Sequence, residues 1–385
     1  MAFAELTPAS LMVSLEQLAS AQTEKDCAAA LVSAAALVQE AVLNGQSPES
    51  FHEAMGACPE GLAPQLGAVM DRSVNFHLLE SGGTLGLWML PVVISTDKNL
   101  PAEIPLETET LAAVKMSGAL LQQLELTAGK IGERTGWTYV LPSLYSEEQI
   151  RECDLGELIR LPHAAREVVR GERKNVDFTV SDAVDGVGAG ANLFFMPFIA
   201  FAPEGHPPVM PMGSQRTVTR MTNWVTASLT QALGKDFAVH VAPQPQPFTL
   251  ALRVGERLRM DVRLREIMTR VTHDSGVEPN GLAALVAPYV TRQSDGTFMV
   301  GVTLVSRMTK NVVGTLSLPV ETADGEEEVA LATHILRDLG MECVQDYHHP
   351  VQTLACQHCG NFQFALPSPD VAFKGVSHAN TKHMH

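Results

Sequence analysis

The chain lacks the patterns from which a reaction is usually read. No G-x-x-x-x-G-K-[ST] run and no G-x-S-x-G run occurs, and Gly129-Lys130 and Gly234-Lys235 have no upstream glycine of the kind that cradles a phosphate. This excludes the commonest nucleotide-hydrolysing and ester-hydrolysing templates. Positive charge is scarce too: 27 Lys and Arg stand against 43 Asp and Glu, a net charge of -16. A phosphate backbone would be repelled by such a surface unless the basic residues gathered on one face. Lys and Arg are absent before Lys25, and Glu16 and Gln17 interrupt the apolar positions Leu11, Met12, Leu15 and Leu18, so no signal peptide is expected. The longest apolar runs, Cys27 to Val38 and Val187 to Pro203, fall short of the roughly 20 clean residues of a spanning helix.

What remains describes a globular chain. Its 385 residues are 45% hydrophobic and 18% charged, enough to bury a sizeable core in each of two or three domains. Six scattered cysteines without an export signal argue against a disulfide framework and for a reducing cytoplasm. Cys27, Cys58, Cys153 and Cys343 are expected to be small buried residues.

Residues 1 to about 80 read as helices, because apolar residues return every three or four positions: Leu11, Leu15, Leu18, then Leu31, Ala35, Val38, Val42, then Leu62, Leu66, Met70. Turn chemistry at Gly45-Gln46-Ser47-Pro48 and Cys58-Pro59-Glu60-Gly61 separates them. From Gly82 the period changes. Leu87-Trp88-Met89-Leu90-Pro91-Val92-Val93-Ile94 is a continuous apolar run, as a strand buried on both faces would be, and Leu193-Phe194-Phe195-Met196-Pro197-Phe198-Ile199-Ala200 has the same pattern. Each run is followed by a helical segment, Thr108 to Leu126 and Thr217 to Leu233, and then by a strand ending at a proline, Trp137 to Pro142 and Phe237 to Pro243. The pattern predicts a duplicated strand-helix-strand unit.

A third, weaker copy is expected at Leu316 to Val320, the helix Glu326 to Leu339 with Asp324 as its cap and Gly340 closing it, and Met341 to Val344. Further strands are expected in Leu282 to Val290 and Phe298 to Val305, with the turn at Thr309-Lys310-Asn311. The fold class is α/β: duplicated strand-helix-strand units in a mixed sheet, a helical N-terminal segment over 1–80, a first α/β repeat over 81–185, a second repeat region over 186–345, and a small C-terminal knuckle with its tail over 346–385. A proline inside a central strand removes a ladder donor, so Pro91 and Pro197 are expected to mark bulges or strand ends where a ligand loop begins.

One spacing carries chemistry. Cys356-Gln357-His358-Cys359-Gly360 is a C-x2-C pair followed by Gly, the tight turn that lets two thiolates face one ion. His378-x4-His383 completes a tetrahedral set, and Zn2+ suits mixed thiolate and imidazole ligands in a closed structural site. His348, His349, His358, His385 and Cys343 are possible substitutes. The interval is too long for a DNA-reading finger. The competing readings are a reduced thiol pair with a His-rich tail or a redox C-x-x-C, but Gly360-Asn361 before Phe362-Gln363-Phe364 reads as turn and strand, whereas a redox motif opens a helix.

Two stretches are rich in arginine: Arg151, Arg160, Arg166, Arg170, Arg173 and Lys174, and then Arg253, Arg257, Arg259, Arg263, Arg265 and Arg270. They would suit an anion or RNA, but Glu157, Glu167, Glu172, Glu256, Asp261 and Glu266 are interleaved, as on ion-paired helix faces. Gly186, Gly188 and Gly190 precede a strand instead of opening a helix, which makes them a connector. His163 and His273 read as isolated polar residues, and no catalytic residue is nominated.

From Cys356 to Gly360, with Pro367 and His378 behind it, the tail resembles a bacterial family of uncharacterised proteins that ends in a C-x-x-C-G knuckle, a Pro-containing segment and a late His. That family has no assigned activity, so the resemblance implies a fold relation and no mechanism. The expected function is that of a cytoplasmic binding or regulatory protein with a structural zinc knuckle and a protein partner. The alternatives are an enzyme with its site in the crevice between the repeats, beside Pro91, Pro142, Pro197 and Pro243, and an RNA-binding accessory protein using the arginine-rich segments.

Overall fold

The computed structural model describes residues 6–100, 103–105, 137–141, 143–176, 178, 190–204, 215–290, 298–320, 325–351, 353–355 and 362–364. The chain divides into two compact units, Met1–Glu256 and Arg257–His385. Its helices and strands are mixed in an α/β architecture.

The first unit opens with four helices, α1 (Pro8–Ser20), α2 (Glu24–Leu43), α3 (Pro48–Gly56) and α4 (Ala63–Asn75). Their starts are written in the sequence: Thr7, Thr23 and Ser47 each accept a backbone N–H of the first turn, and Pro8 and Pro48 occupy first-turn positions where no donor is needed. Leu11, Leu15 and Leu18 of α1 and Ala34, Ala35, Val38 and Val42 of α2 are buried at the expected spacing. The apolar run of α2 extends past Val38 to Leu43, so this helix is by length and composition apolar enough to cross a membrane, with a mean hydropathy of 1.5. Here it packs against α1 and α4.

The helices lead into an eight-stranded sheet. Its centre is β2 (Thr84–Thr96) beside β6 (Gly190–Ala202), antiparallel and in unbroken register from Thr84 opposite Ala202 to Thr96 opposite Gly190. Both strands are buried along most of their length, as continuous apolar runs require. Leu90 lies opposite Met196, Met89 opposite Pro197, and Pro91 opposite Phe195. Short strands line the two outer edges. β1 (Phe76–Leu78), β7 (Ala238–Val241) and β8 (Gln246–Pro247) pair with β2; β4 (Trp137–Val140) and β5 (Ser143–Ser146) pair with β6, and β3 (Glu103–Pro105) extends from β5.

The outer pairings are related by a local two-fold through the Leu90–Met196 pair. Val140 sits opposite Phe198 as Val241 sits opposite Val92, and Tyr145 opposite Phe195 as Gln246 opposite Met89. Each strand that follows a leading run therefore pairs with the other run and not with its own.

Pro91 and Pro197 neither end their strands nor bulge the β2–β6 ladder, contrary to the expectation from sequence. The carbonyl of Pro91 accepts from Ala242 N at 2.9 Å and that of Pro197 from Leu141 N at 3.1 Å, both on the outer edges. In an antiparallel strand a residue's N–H and C=O point the same way, so the missing donors also face outward, where β7 gives way to β8 and β4 to β5. The central ladder loses nothing. Nor do these prolines mark loop ends as the crevice reading assumed.

Helix α5 (Glu147–Glu152) follows β5 through a capping box at Ser146 and Gln149. α6 (Leu155–Val169) is capped by Asp154 and lies against α2, α4, β2 and β6. α7 (Gln215–Leu233) matches the predicted helix before β7; its predicted counterpart Thr108 to Leu126 lies outside the described residues. α8 (Phe248–Ser275) packs its first turns on β6 at Gly255, where an added Cβ would come within 2.8 Å of Leu193.

In the second unit, β9 (Leu282–Val290), β10 (Phe298–Ser306), β11 (Val312–Pro319) and β12 (Cys343–Asp346) form a sheet in the order β11-β10-β9-β12. Met260, Leu264, Ile267, Met268 and Val271 from α8, and Val329, Ala332, Ile335 and Leu336 from α9 (Glu326–Asp338), cover one face of it. Lys310 takes φ 61° in the predicted turn at Thr309-Lys310-Asn311. The cap of α9 is Gly325 at φ 75°, Asp324 lying outside the described residues, and Gly340 at φ 91° closes the helix as predicted. In the region of the expected third copy, α9 carries the chain from β11 past two strands to β12, parallel to β9. Last, β13 (Thr353–Ala355) pairs antiparallel with β14 (Phe362–Phe364).

Candidate functional site

The sequence-predicted ligands Cys356, Cys359, His378 and His383 lie outside the described residues, as do the substitutes His358 and His385 and the glycines Gly186 and Gly188. The strands β13 and β14 flank the C-x2-C stretch, with Thr353 opposite Phe364 and Ala355 opposite Phe362. Of the other substitutes, His348 and His349 are exposed beyond β12, and Cys343 is exposed on it.

The cysteine expectation fails in part. Cys27 is exposed on the outward side of the first turns of α2, Cys343 is exposed on an edge strand, and Cys58 and Cys153 are half-buried. Burial pushes the Cys153 thiol up to about 12, helped by the nearby Glu157 and Asp154 carboxylates, so it stays protonated and poorly nucleophilic at neutral pH.

Most arginines of the two rich segments have carboxylate partners. Arg151 contacts Glu147 at 2.6 Å and Glu256 at 3.5 Å, Arg160 contacts Glu157, Arg173 contacts Glu167, and Arg265 contacts Asp261 at 2.8 Å. The pairs of Arg151 with Glu147, Arg160 with Glu157 and Arg265 with Asp261 have the three- or four-residue spacing of an ion-paired helix face.

The polar residues that the structure does bring together were invisible as a group in the sequence. They meet where α4 turns into β1, beneath α2 and α6. Gln39 of α2 donates both amide hydrogens across the corner, to Ser73 O and Phe76 O, each at 2.8 Å. Asn75, fully buried, donates to Asp71 Oδ1 at 2.7 Å and accepts from Phe248 N at 2.6 Å, and Thr249 donates to the same carboxylate. The Arg72 guanidinium lies over the Phe76 ring, 4.8 Å from its centre, and burial lowers its pKa. Trp88 stands edge-on to Phe76 and across Gly86, where a Cβ would come within 2.8 Å of the indole nitrogen; that nitrogen has no hydrogen-bond partner among the described residues.

At the centre are two histidines. His77 on β1 is only 1% exposed, and its Nδ1 lies 3.1 Å from Nε2 of His163 on α6, with ring centres 5.0 Å apart and edge-to-face. The Val74 carbonyl, 3.4 Å from His77 Nε2, can only accept. His77 therefore carries its proton on Nε2, and its Nδ1 accepts from Nε2–H of His163. Burial holds His77 down to about 3, reinforced by His163 and Arg72; burial and then Arg166 hold His163 down to about 4. Both rings are neutral at neutral pH. A first added proton goes to Nδ1 of His163 and leaves the Nε2–H to Nδ1 bond in place; a second, on Nδ1 of His77, sets N–H against N–H and breaks the contact.

His163 is thus not the isolated residue that its sequence context suggested. The available signal was its place one turn after the buried Ile159 on the apolar side of α6. Among the described residues no three His, Cys, Asp or Glu side chains converge as a metal site. Comparison with protein-family models, curated proteins and solved structures gives no match for this chain.

Proposed function

We propose that the chain is a cytoplasmic binding or regulatory protein whose C-terminal hairpin carries a structural zinc knuckle, with Cys356, Cys359, His378 and His383 as the ligands. The observation that supports this is the antiparallel pairing of β13 with β14. The stretch of sequence between these strands holds the whole of the Cys356-Gln357-His358-Cys359-Gly360 motif, the spacing from which two thiolates can face one ion. Two strands of three residues each are marginal by themselves in water. A tetrahedral Zn2+ ion supplies the missing cross-link, because metal binding to ligands absent from any preformed unfolded site is folding free energy. The knuckle then stabilises the tail or docks a protein partner. The same reading places the chain beside the bacterial proteins its tail resembles, and takes the two-fold registers around Leu90 and Met196 as the product of an internal duplication.

The test is metal content by inductively coupled plasma mass spectrometry on untagged protein, for wild type and for Cys356→Ser/Cys359→Ser. About one zinc per chain is expected in the wild type, lost in the variant, as one closed four-ligand site requires. Absence of metal from both would overturn the knuckle. If the variant loses zinc and stability but keeps its partners, the knuckle is structural; if it keeps the fold and loses the partner, the knuckle is the docking element.

A further inference from the structure

We propose that the contact between His77 and His163 is an acid-released latch that holds α6 against the corner formed by α4 and β1. The contact joins elements distant in sequence: His77 sits in a three-residue strand, and His163 follows Pro162 inside α6. Pro162 has no N–H to give the Leu158 carbonyl, so α6 is one backbone hydrogen bond short beside the latch. A short strand and a helix weakened at its middle are what local opening draws on before the whole fold yields.

The surroundings make the latch respond to protons in one direction. Arg72 from α4 and Arg166 from α6 are the charged groups that act on the two rings, and no carboxylate among the described residues acts on either. α2 contributes the uncharged Gln39, and β2 and β6 contain no ionisable residue. Among the groups that act on the two rings, only the Val74 carbonyl favours an added proton, and burial outweighs it. In the released state each imidazole meets water and titrates near 6.5. The closed state is therefore favoured above about pH 6.5, and release gains ground as the pH falls towards 4, because the open state binds more protons over that window.

The experiment is hydrogen exchange of the full chain followed by mass spectrometry at about pH 7 and about pH 5, corrected for the intrinsic exchange rate. Peptides covering 155–169 and 76–78 are expected to lose protection by ~10-fold or more at the lower pH, the response of one imidazole over one pH unit, while the β2–β6 ladder keeps its protection. His163→Gln, which retains a side-chain donor and cannot charge, is expected to show a smaller acid response, the remainder coming from His77, and His77→Gln/His163→Gln the same protection at both pH values. Equal protection of 155–169 at both pH values in the wild type would overturn the latch, as would an undiminished acid response in His163→Gln. Should that variant fold poorly, imidazole titration of the wild type by nuclear magnetic resonance decides: depressed titration of both rings supports the latch, and titration of either near 6.5 overturns it.

Discussion

Along their shared ladder β2 and β6 are treated alike; along their outer edges they are not. Leu90 and Met196 are fully buried opposite each other, and the prolines beside them hand their carbonyls to Ala242 and Leu141 in the same way. On the β6 side Phe194, Phe195, Phe198 and Phe201 of the strand are all fully buried, and the buried polar side chains beside it are the hydroxyls of Thr138, Ser143 and Ser146 and the amide of Gln149. On the β2 side β1 adds a further strand, and with it come Ser73, Asn75 and His77, three buried polar residues held by local hydrogen bonds. Two edges with matching registers thus differ in their buried polar groups, with a buried imidazole on the β2 side. The difference comes from what the N-terminal helices bring, since Gln39 and Asn75 satisfy the backbone of the α4–β1 corner.

This comparison is most directly broken at its centre. Leu90→Ala and Met196→Ala are each expected to cost about 2–5 kcal/mol in urea unfolding, the range for buried large-to-small changes, and to cost the same within error. Unequal costs would show that the two-fold environment does not extend to packing.

The next effect sharpens the asymmetry. Stability should fall as the pH drops from about 6.5 towards 4, by at most ~1.4 kcal/mol per pH unit for each imidazole, because both folded-state values lie below the unfolded one and the unfolded chain takes up the protons. His77→Gln/His163→Gln should flatten this slope in urea titrations; an unchanged slope would assign the acid response to other groups.

A smaller effect is expected at Gly86→Ala, about 1–3 kcal/mol from forcing the Trp88 indole away, whereas Gly61→Ala, with nothing near its added Cβ, should change little. Similar thermal shifts for the two would contradict the tight packing of Trp88 on Gly86. Smallest of all is Arg265→Ala, at most about 1 kcal/mol, because its ion pair with Asp261 is exposed.

The strands at the centre were legible because a double-sided burial needs an unbroken apolar run, and both runs have one. The helix starts at Thr7, Thr23 and Ser47 were equally local. What sequence could not show was pairing between distant segments. β4 and β7 follow β2 and β6 in the chain, yet each adds to the other run, and no residue pattern records that choice. Pro91 and Pro197 misled for a related reason: the cost of a proline in a sheet depends on which neighbour its nitrogen faces, and that is a tertiary fact. The histidine pair was hidden by the separation of His77 and His163 along the chain, and His77 by its place in so short a strand. The proposed ligands Cys356, Cys359, His378 and His383 rest on sequence spacing alone, since they lie outside the described residues.

The central claim concerns what holds that last group together, and zinc K-edge X-ray absorption on the untagged full chain tests it most directly. The account predicts a four-coordinate ion with two sulfur neighbours at about 2.3 Å and two nitrogen neighbours at about 2.0–2.1 Å. A first shell of oxygen and nitrogen without sulfur would contradict it.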